Sequence, residues 1–191
     1  MRSITYSRAM IIARLAGRKT MTRRVKTSEE CPYGSAGDHL LVKEAAWLWC
    51  RLEPNGVTPT GRQKIKYVPE PSVMPVWAAT RSKKPEWEPP GHWIANHAWR
   101  YKIPRYMPFW ASRWRDEVIS IRSELLRQIT EDDAVLEGAT PRVGDPKTGR
   151  TSYVEGFKAV WDAIHGTSGP NSWDANPEVW VVTFKPHRTN A

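Results

Sequence analysis

Prolines divide this chain into two ordered flanks and an irregular middle. Ten of the 16 prolines in the 191 residues lie between residues 53 and 108. Proline lacks the amide hydrogen and fixes its own φ angle, so this density is typical of loops. The segment also lacks a sustained apolar pattern, and we expect a loop-rich insertion within one domain that spans residues 1–191. Within it, residues 62–68 (RQKIKYV) are predicted to form a strand.

The flanks carry patterns of short helices and strands. Residues 152–166 are the clearest helix, because apolar side chains recur there at helical spacing. Thr130 and Gly138 are typical of the first and last residues of a second short helix. Three short helices and five or six strands predict an α+β fold with a small curled sheet or barrel. The other predictions are a helix over 7–16, a turn over 31–38, strands over 19–25, 110–121 and 178–184, a strand pair or one bent strand over 40–49, and a polar loop over 139–151.

Composition narrows the class of protein. No run approaches the roughly 18 apolar residues of a membrane helix, and no signal-peptide pattern is visible, so we expect a cytoplasmic protein with no membrane partner. Cys31 and Cys50 are then free thiols. We also expect a monomer. The five histidines lack metal-ligand spacing and neither cysteine has a CxxC partner, so we expect no metal and no cofactor. The net charge of +9 and the 11 tryptophans suit nucleotides or nucleic acid.

The segment GRKTMTRR at residues 17–24 has two interpretations. Taken alone, it is typical of an exposed basic strand. On a regular strand Thr22 and Arg24 share a face, whereas Lys19 has the opposite parity. Lys19 therefore joins them only if it lies on a turn after Gly17, outside the regular strand.

The order of several motifs resembles the ASCH-domain family of phage and bacterial proteins. The motifs are GRKTMTRR, CPYGSAGDHLLVKEAAW, MPFWASR, ITEDDAVLEGA, FKAVWDAIHG and WDANPEVWVVTF. The resemblance covers most of the chain outside roughly residues 51–100 and 141–150. It implies a PUA-like fold, a small β-barrel with flanking short helices. Some members of the family are N4-acetylcytidine amidohydrolases, and others are proposed to bind or cleave RNA.

The resemblance to the amidohydrolases implies a Thr-Lys-Glu site. The matching residues are Lys19, Thr22 and Glu137, with Arg24 as the group that stabilises the oxyanion. The chain departs from the amidohydrolase motif at Met21 and Arg23. The expected function is hydrolysis of N4-acylated cytosine or cytidine compounds without a metal, and the alternatives are an RNA-binding module or a ribonuclease.

The chemistry of these residues is consistent but incomplete. Thr22 needs a base, and burial together with neighbouring cations would lower the pKa of Lys19 enough to supply one. Glu137 acts in the opposite direction, so it more plausibly orients the lysine or shuttles a proton. Glu137 also lies at the C-terminal end of a short helix, where the helix dipole disfavours a negative charge. Arg18 and Arg23 are expected to be field-setting or structural cations.

Three further residues are candidates for substrate binding. Glu44 could meet the cytosine amine, although a surface ion pair is an equal alternative. Trp47 and Trp110 could stack on a base, as could Trp99, although each is also typical of core or lid packing. We expect the insertion over residues 53–108 to tune which acyl group or base fits.

Overall fold

The computed structural model describes residues 2–87, 89, 96–145, 147 and 149–189. These residues form an α+β chain, mostly sheet, with the helices α1 (Arg8–Leu15), α2 (Glu131–Leu136) and α3 (Tyr153–His165). The α+β class is thus confirmed. The strands are β1 (Arg2–Thr5), β2 (Met21–Val25), β3 (His39–Lys43), β4 (Ala46–Val57), β5 (Gln63–Pro69), β6 (Val76–Trp77), β7 (His97–Lys102), β8 (Trp114–Leu125), β9 (Arg142–Asp145), β10 (Arg150–Ser152) and β11 (Glu178–Arg188).

The chain folds as two compact units. The first comprises Met1–Ile4, Met10–Leu41 and Trp114–Arg188. The second comprises Thr5–Ala9, Val42–Arg113 and Thr189–Ala191. The single-domain organisation stays a prediction.

The five-stranded sheet places β2 at an edge. Its strand order is β1-β3-β8-β11-β2, and β11 pairs antiparallel with β8 over its whole length. β2 pairs with β11 on the other side, with Thr22 opposite Val182. No closed ring of strands forms among the described residues, so the barrel stays a prediction. Below the sheet lies an apolar cluster that includes Met21, Phe157, Trp161 and Val181.

The middle of the chain is more ordered than its prolines indicated. β4 pairs with β7 along one edge and with β5 and β6 along the other, which gives the second unit a sheet of its own. The strand predicted over 62–68 is confirmed as β5. Elsewhere in residues 53–108 the expectation of loop was wrong for β6 and β7, because aromatic residues such as Trp99 pack against Trp49 of β4.

Most elements predicted in the flanks are confirmed. Helix α2 begins after Thr130, whose hydroxyl accepts a hydrogen bond from the Asp133 amide, and Ser152 caps α3 in the same way. The region 40–49 is a strand pair, β3 and β4. The predicted loop over 139–151 instead contains the hairpin of β9 and β10. None of the helices in the described residues is long and apolar enough to span a membrane.

Candidate active site

Lys19 lies outside the regular strand, which begins two residues later than predicted. Helix α1 ends at Leu15, and Gly17 follows two residues later with a φ of 71°, the left-handed conformation that glycine adopts easily. The amide of Thr20 donates to the carbonyl of Leu136, and β2 begins only at Met21. The turn therefore holds Lys19 against the C-terminal end of α2.

The ammonium group of Lys19 is fully buried and has three acceptors. Nζ donates to Glu137 Oε2 at 2.8 Å, to the Glu137 carbonyl at 2.9 Å and to the Met21 carbonyl at 2.8 Å. Lys19 is 0% exposed and Glu137 is 6% exposed. An ammonium has three donors, so this geometry is that of the protonated lysine.

Two effects oppose each other on the titration of this lysine. Burial lowers the pKa of Lys19, with a smaller contribution in the same direction from Arg24 and Arg14, whereas the Glu137 carboxylate raises it. The net direction is downward.

Lys19 also explains why an acidic residue ends α2. Glu137 is the C-cap residue, at the negative end of the helix dipole. Lys19 bonds both the Glu137 carbonyl and its carboxylate, and so supplies the cation expected at this position. The other carboxylate atom, Oε1, has no hydrogen bond among the described residues and lies 3.5 Å from Arg23 Nη1.

Thr22 carries a buried hydroxyl without a hydrogen-bond partner. The residue is 0% exposed, and its Oγ1 bonds to none of the described residues. Such a hydroxyl costs roughly 1–3 kcal/mol, so it needs an explanation. The regular register of β2 keeps Arg24 on the same face, two residues further on. Arg24 is half-buried and donates to the Arg23 carbonyl at 3.1 Å.

Arg23 makes direct contacts with acidic residues around the site, which the sequence did not indicate. It is 2% exposed, and Nη2 donates to Glu124 at 2.6 Å and to Asp133 at 2.5 Å. Asp133 belongs to the acidic first turn of α2, a position that the positive end of the helix dipole also favours. Arg23 thus ties β2 to α2 and places a positive charge near Glu137. The acidic run was the sequence signal that could have indicated a buried partner.

The three proposed substrate-binding residues belong to the second unit, whereas Lys19, Thr22, Arg24 and Glu137 belong to the first. Glu44 is 1% exposed and accepts two hydrogen bonds from Arg113, at 2.8 and 3.0 Å, so its carboxylate is engaged in a buried ion pair. Trp47 is half-buried against Tyr101. Trp110 is 41% exposed.

Nothing outside the chain identifies this site. No protein-family model, curated protein or solved structure matches the sequence. In the part of the chain that the structure describes, no three His, Cys, Asp or Glu side chains cluster as metal ligands would. Function therefore has to be inferred from the residues themselves.

Proposed function

We propose that the chain is an ASCH-type, PUA-like amidohydrolase that removes acyl groups from N4-acylated cytosine or cytidine compounds. One observation carries the proposal. A buried Lys19–Glu137 pair lies beside the strand on which Thr22 has a buried hydroxyl with no partner among the described residues. Structural residues seldom leave a hydroxyl in that state, whereas a nucleophile has to be free to meet its substrate.

The mechanism begins with a proton transfer inside the buried pair. Glu137 takes a proton from Lys19, which leaves a neutral amine. Nζ does not bond Thr22 Oγ1 in this arrangement, so the movement that admits substrate also brings the amine to the hydroxyl. The amine then accepts the Thr22 proton as Oγ1 forms a bond to the acyl carbon, and Arg24 stabilises the resulting oxyanion. Lys19 then returns that proton to N4 as the carbon–nitrogen bond breaks. Water hydrolyses the acyl-threonine, and the carboxylic acid leaves.

The resting arrangement is closed. Lys19 and Thr22 are both 0% exposed, so substrate reaches the hydroxyl only after the side chains that cover it move. The same burial argues against the ribonuclease alternative, in which Lys19 would hold a phosphate, because all three donors of its ammonium already have acceptors.

The test is a panel of acylated nucleosides. Wild type should hydrolyse N4-acetylcytidine and N4-benzoylcytidine, followed by chromatography of released cytidine, with equal rates in the presence and absence of EDTA. Thr22→Ala should abolish turnover, whereas Thr20→Ala, a matched change two residues earlier, should retain it. Equal rates for Thr22→Ala and wild type would eliminate Thr22 as the nucleophile. RNA cleavage by wild type without any deacylation would replace the proposal by the ribonuclease.

A further inference from the structure

The positive charge of the chain is concentrated in its middle. Residues 42–113 contain 12 Lys and Arg but only five Glu and no Asp, a net charge of +7 out of +9 for the whole chain. This range makes up nearly all of the second unit. The second unit therefore attracts polyanions more strongly than the first.

One face of the sheet in this unit carries a strip of aromatic rings. In the pairing of β4 with β7, Trp47 lies opposite Tyr101 and Trp49 lies opposite Trp99. Side chains two residues apart on a strand share a face, so the four rings lie on the same side. Their centroids are 5.2 Å apart in the first pair and 5.4 Å in the second. We call these four residues the aromatic strip.

A cleft opens over the first pair. It encloses about 430 Å³ and is bordered by Arg8 and Ser82 as well as by Trp47 and Tyr101. Tyr101 is 48% exposed, so its ring is accessible. The indole nitrogen of Trp47 is buried and has no hydrogen-bond partner among the described residues.

A second cleft lies beside the other pair, whose rings are themselves buried, since Trp49 and Trp99 are each 4% exposed. It encloses about 550 Å³, and Lys83, Lys84 and Trp87 contribute to its lining. The ring of Trp87 is 43% exposed and packs edge-on against Trp99 at 5.2 Å. Ser82 of the first cleft and Lys83 of the second are consecutive, so the two clefts adjoin along the aromatic strip.

We propose that the aromatic strip and its two clefts bind single-stranded nucleic acid. Bases stack on the accessible rings of Tyr101 and Trp87, and phosphates pair with Arg8, Lys83 and Lys84. Flat rings beside cations are what unpaired bases and their backbone require, whereas a duplex hides its base faces and an acidic peptide has no use for the rings. This activity goes beyond the proposed hydrolase and does not depend on it.

Fluorescence polarisation with a short labelled single-stranded oligonucleotide tests the rings. We expect wild type to bind, Tyr101→Ala to weaken binding about tenfold and Tyr101→Phe, which keeps the ring, to match wild type. Circular dichroism checks that both variants are folded. Equal affinity of Tyr101→Ala and wild type, or equal displacement by poly-glutamate and by unlabelled oligonucleotide, would overturn the proposal.

Salt dependence tests the cations independently. Lys83→Gln with Lys84→Gln should lower the slope of log affinity against log salt by about 0.7 for each phosphate that the lysines no longer neutralise. The matched control is Lys64→Gln with Lys66→Gln, two exposed lysines of β5 outside both clefts, which should leave the slope unchanged. Equal slopes for the two double variants, or duplex bound as tightly as single strands, would overturn the proposal.

Discussion

The sharpest prediction about stability concerns the buried pair of Lys19 and Glu137. Lys19→Met leaves a carboxylate that is 6% exposed, with Arg23 Nη1 3.5 Å from its Oε1 atom. Removing one partner of a buried pair costs about 3–5 kcal/mol. Glu137→Gln should cost less, about 1–3 kcal/mol, since the Lys19 ammonium keeps both carbonyl acceptors and the new amide oxygen can replace Oε2.

The measurement is a double-mutant cycle by urea unfolding. Lys19→Met with Glu137→Gln leaves no unpaired charge, so its cost should fall short of the sum of the single variants by about 1–3 kcal/mol. The control is the cycle Lys26→Met and Glu178→Gln, a pair at 3.3 Å whose glutamate is half-exposed, where coupling should be much weaker because solvent screens the charges. If the Lys19 and Glu137 variants add to within about 0.5 kcal/mol, the two groups do not interact as described.

Three further predictions concern single residues of the first unit. Thr22→Val keeps the shape of the side chain but removes the hydroxyl that has no partner among the described residues. It should therefore raise the free energy of unfolding by about 1 kcal/mol in urea titrations, while activity is lost. A lower free energy of unfolding would contradict this. Gly138→Ala should lower the free energy of unfolding more than Gly17→Ala does in the same titrations. Both glycines have a positive φ, but of the two only at Gly138 would the new Cβ meet another side chain, the Ala13 Cβ at 2.7 Å. Equal losses of stability would show that the clash is relieved. Burial raises the pKa of Asp116 to about 6, despite the neighbouring Arg14, so the protonated form favours folding. That contribution is present below about pH 4 and is lost as pH rises through 6, by up to about 3 kcal/mol; Asp116→Asn should remove this pH dependence, and an unchanged profile would refute it.

Local chemistry made part of the site predictable. The alternation of β2 was sufficient to place Thr22 and Arg24 on one face. It also gave the condition that Lys19 joins them only from a turn after Gly17, and the strand indeed begins later than predicted, at Met21. The partner Glu137 lies 118 residues away, and only the family resemblance indicated it. The other two acceptors of Lys19 are backbone carbonyls, which have no sequence signature.

What the sequence missed depends on packing between distant elements. Arg23 was expected to be a field-setting or structural cation. Its contact with Glu124 exists only once β8 and β2 join one sheet, and its contact with Asp133 exists only once α2 packs on β2. The sheet of the second unit was missed for another reason. The alternating aromatics of β4 and β7 predict strands. The prolines that begin at Pro54, within β4, and continue towards β7 favoured a loop interpretation.

The most direct test of the account is the rate of N4-acetylcytidine hydrolysis by Thr22→Val, compared with Thr20→Val and wild type. We expect Thr22→Val to lower kcat by at least about a thousandfold, as loss of a nucleophile does, while Thr20→Val stays within a few-fold of wild type. Substantial activity in Thr22→Val, or no hydrolysis of any N4-acylated cytosine compound by wild type, would contradict the assignment of Thr22 as the nucleophile of an amidohydrolase.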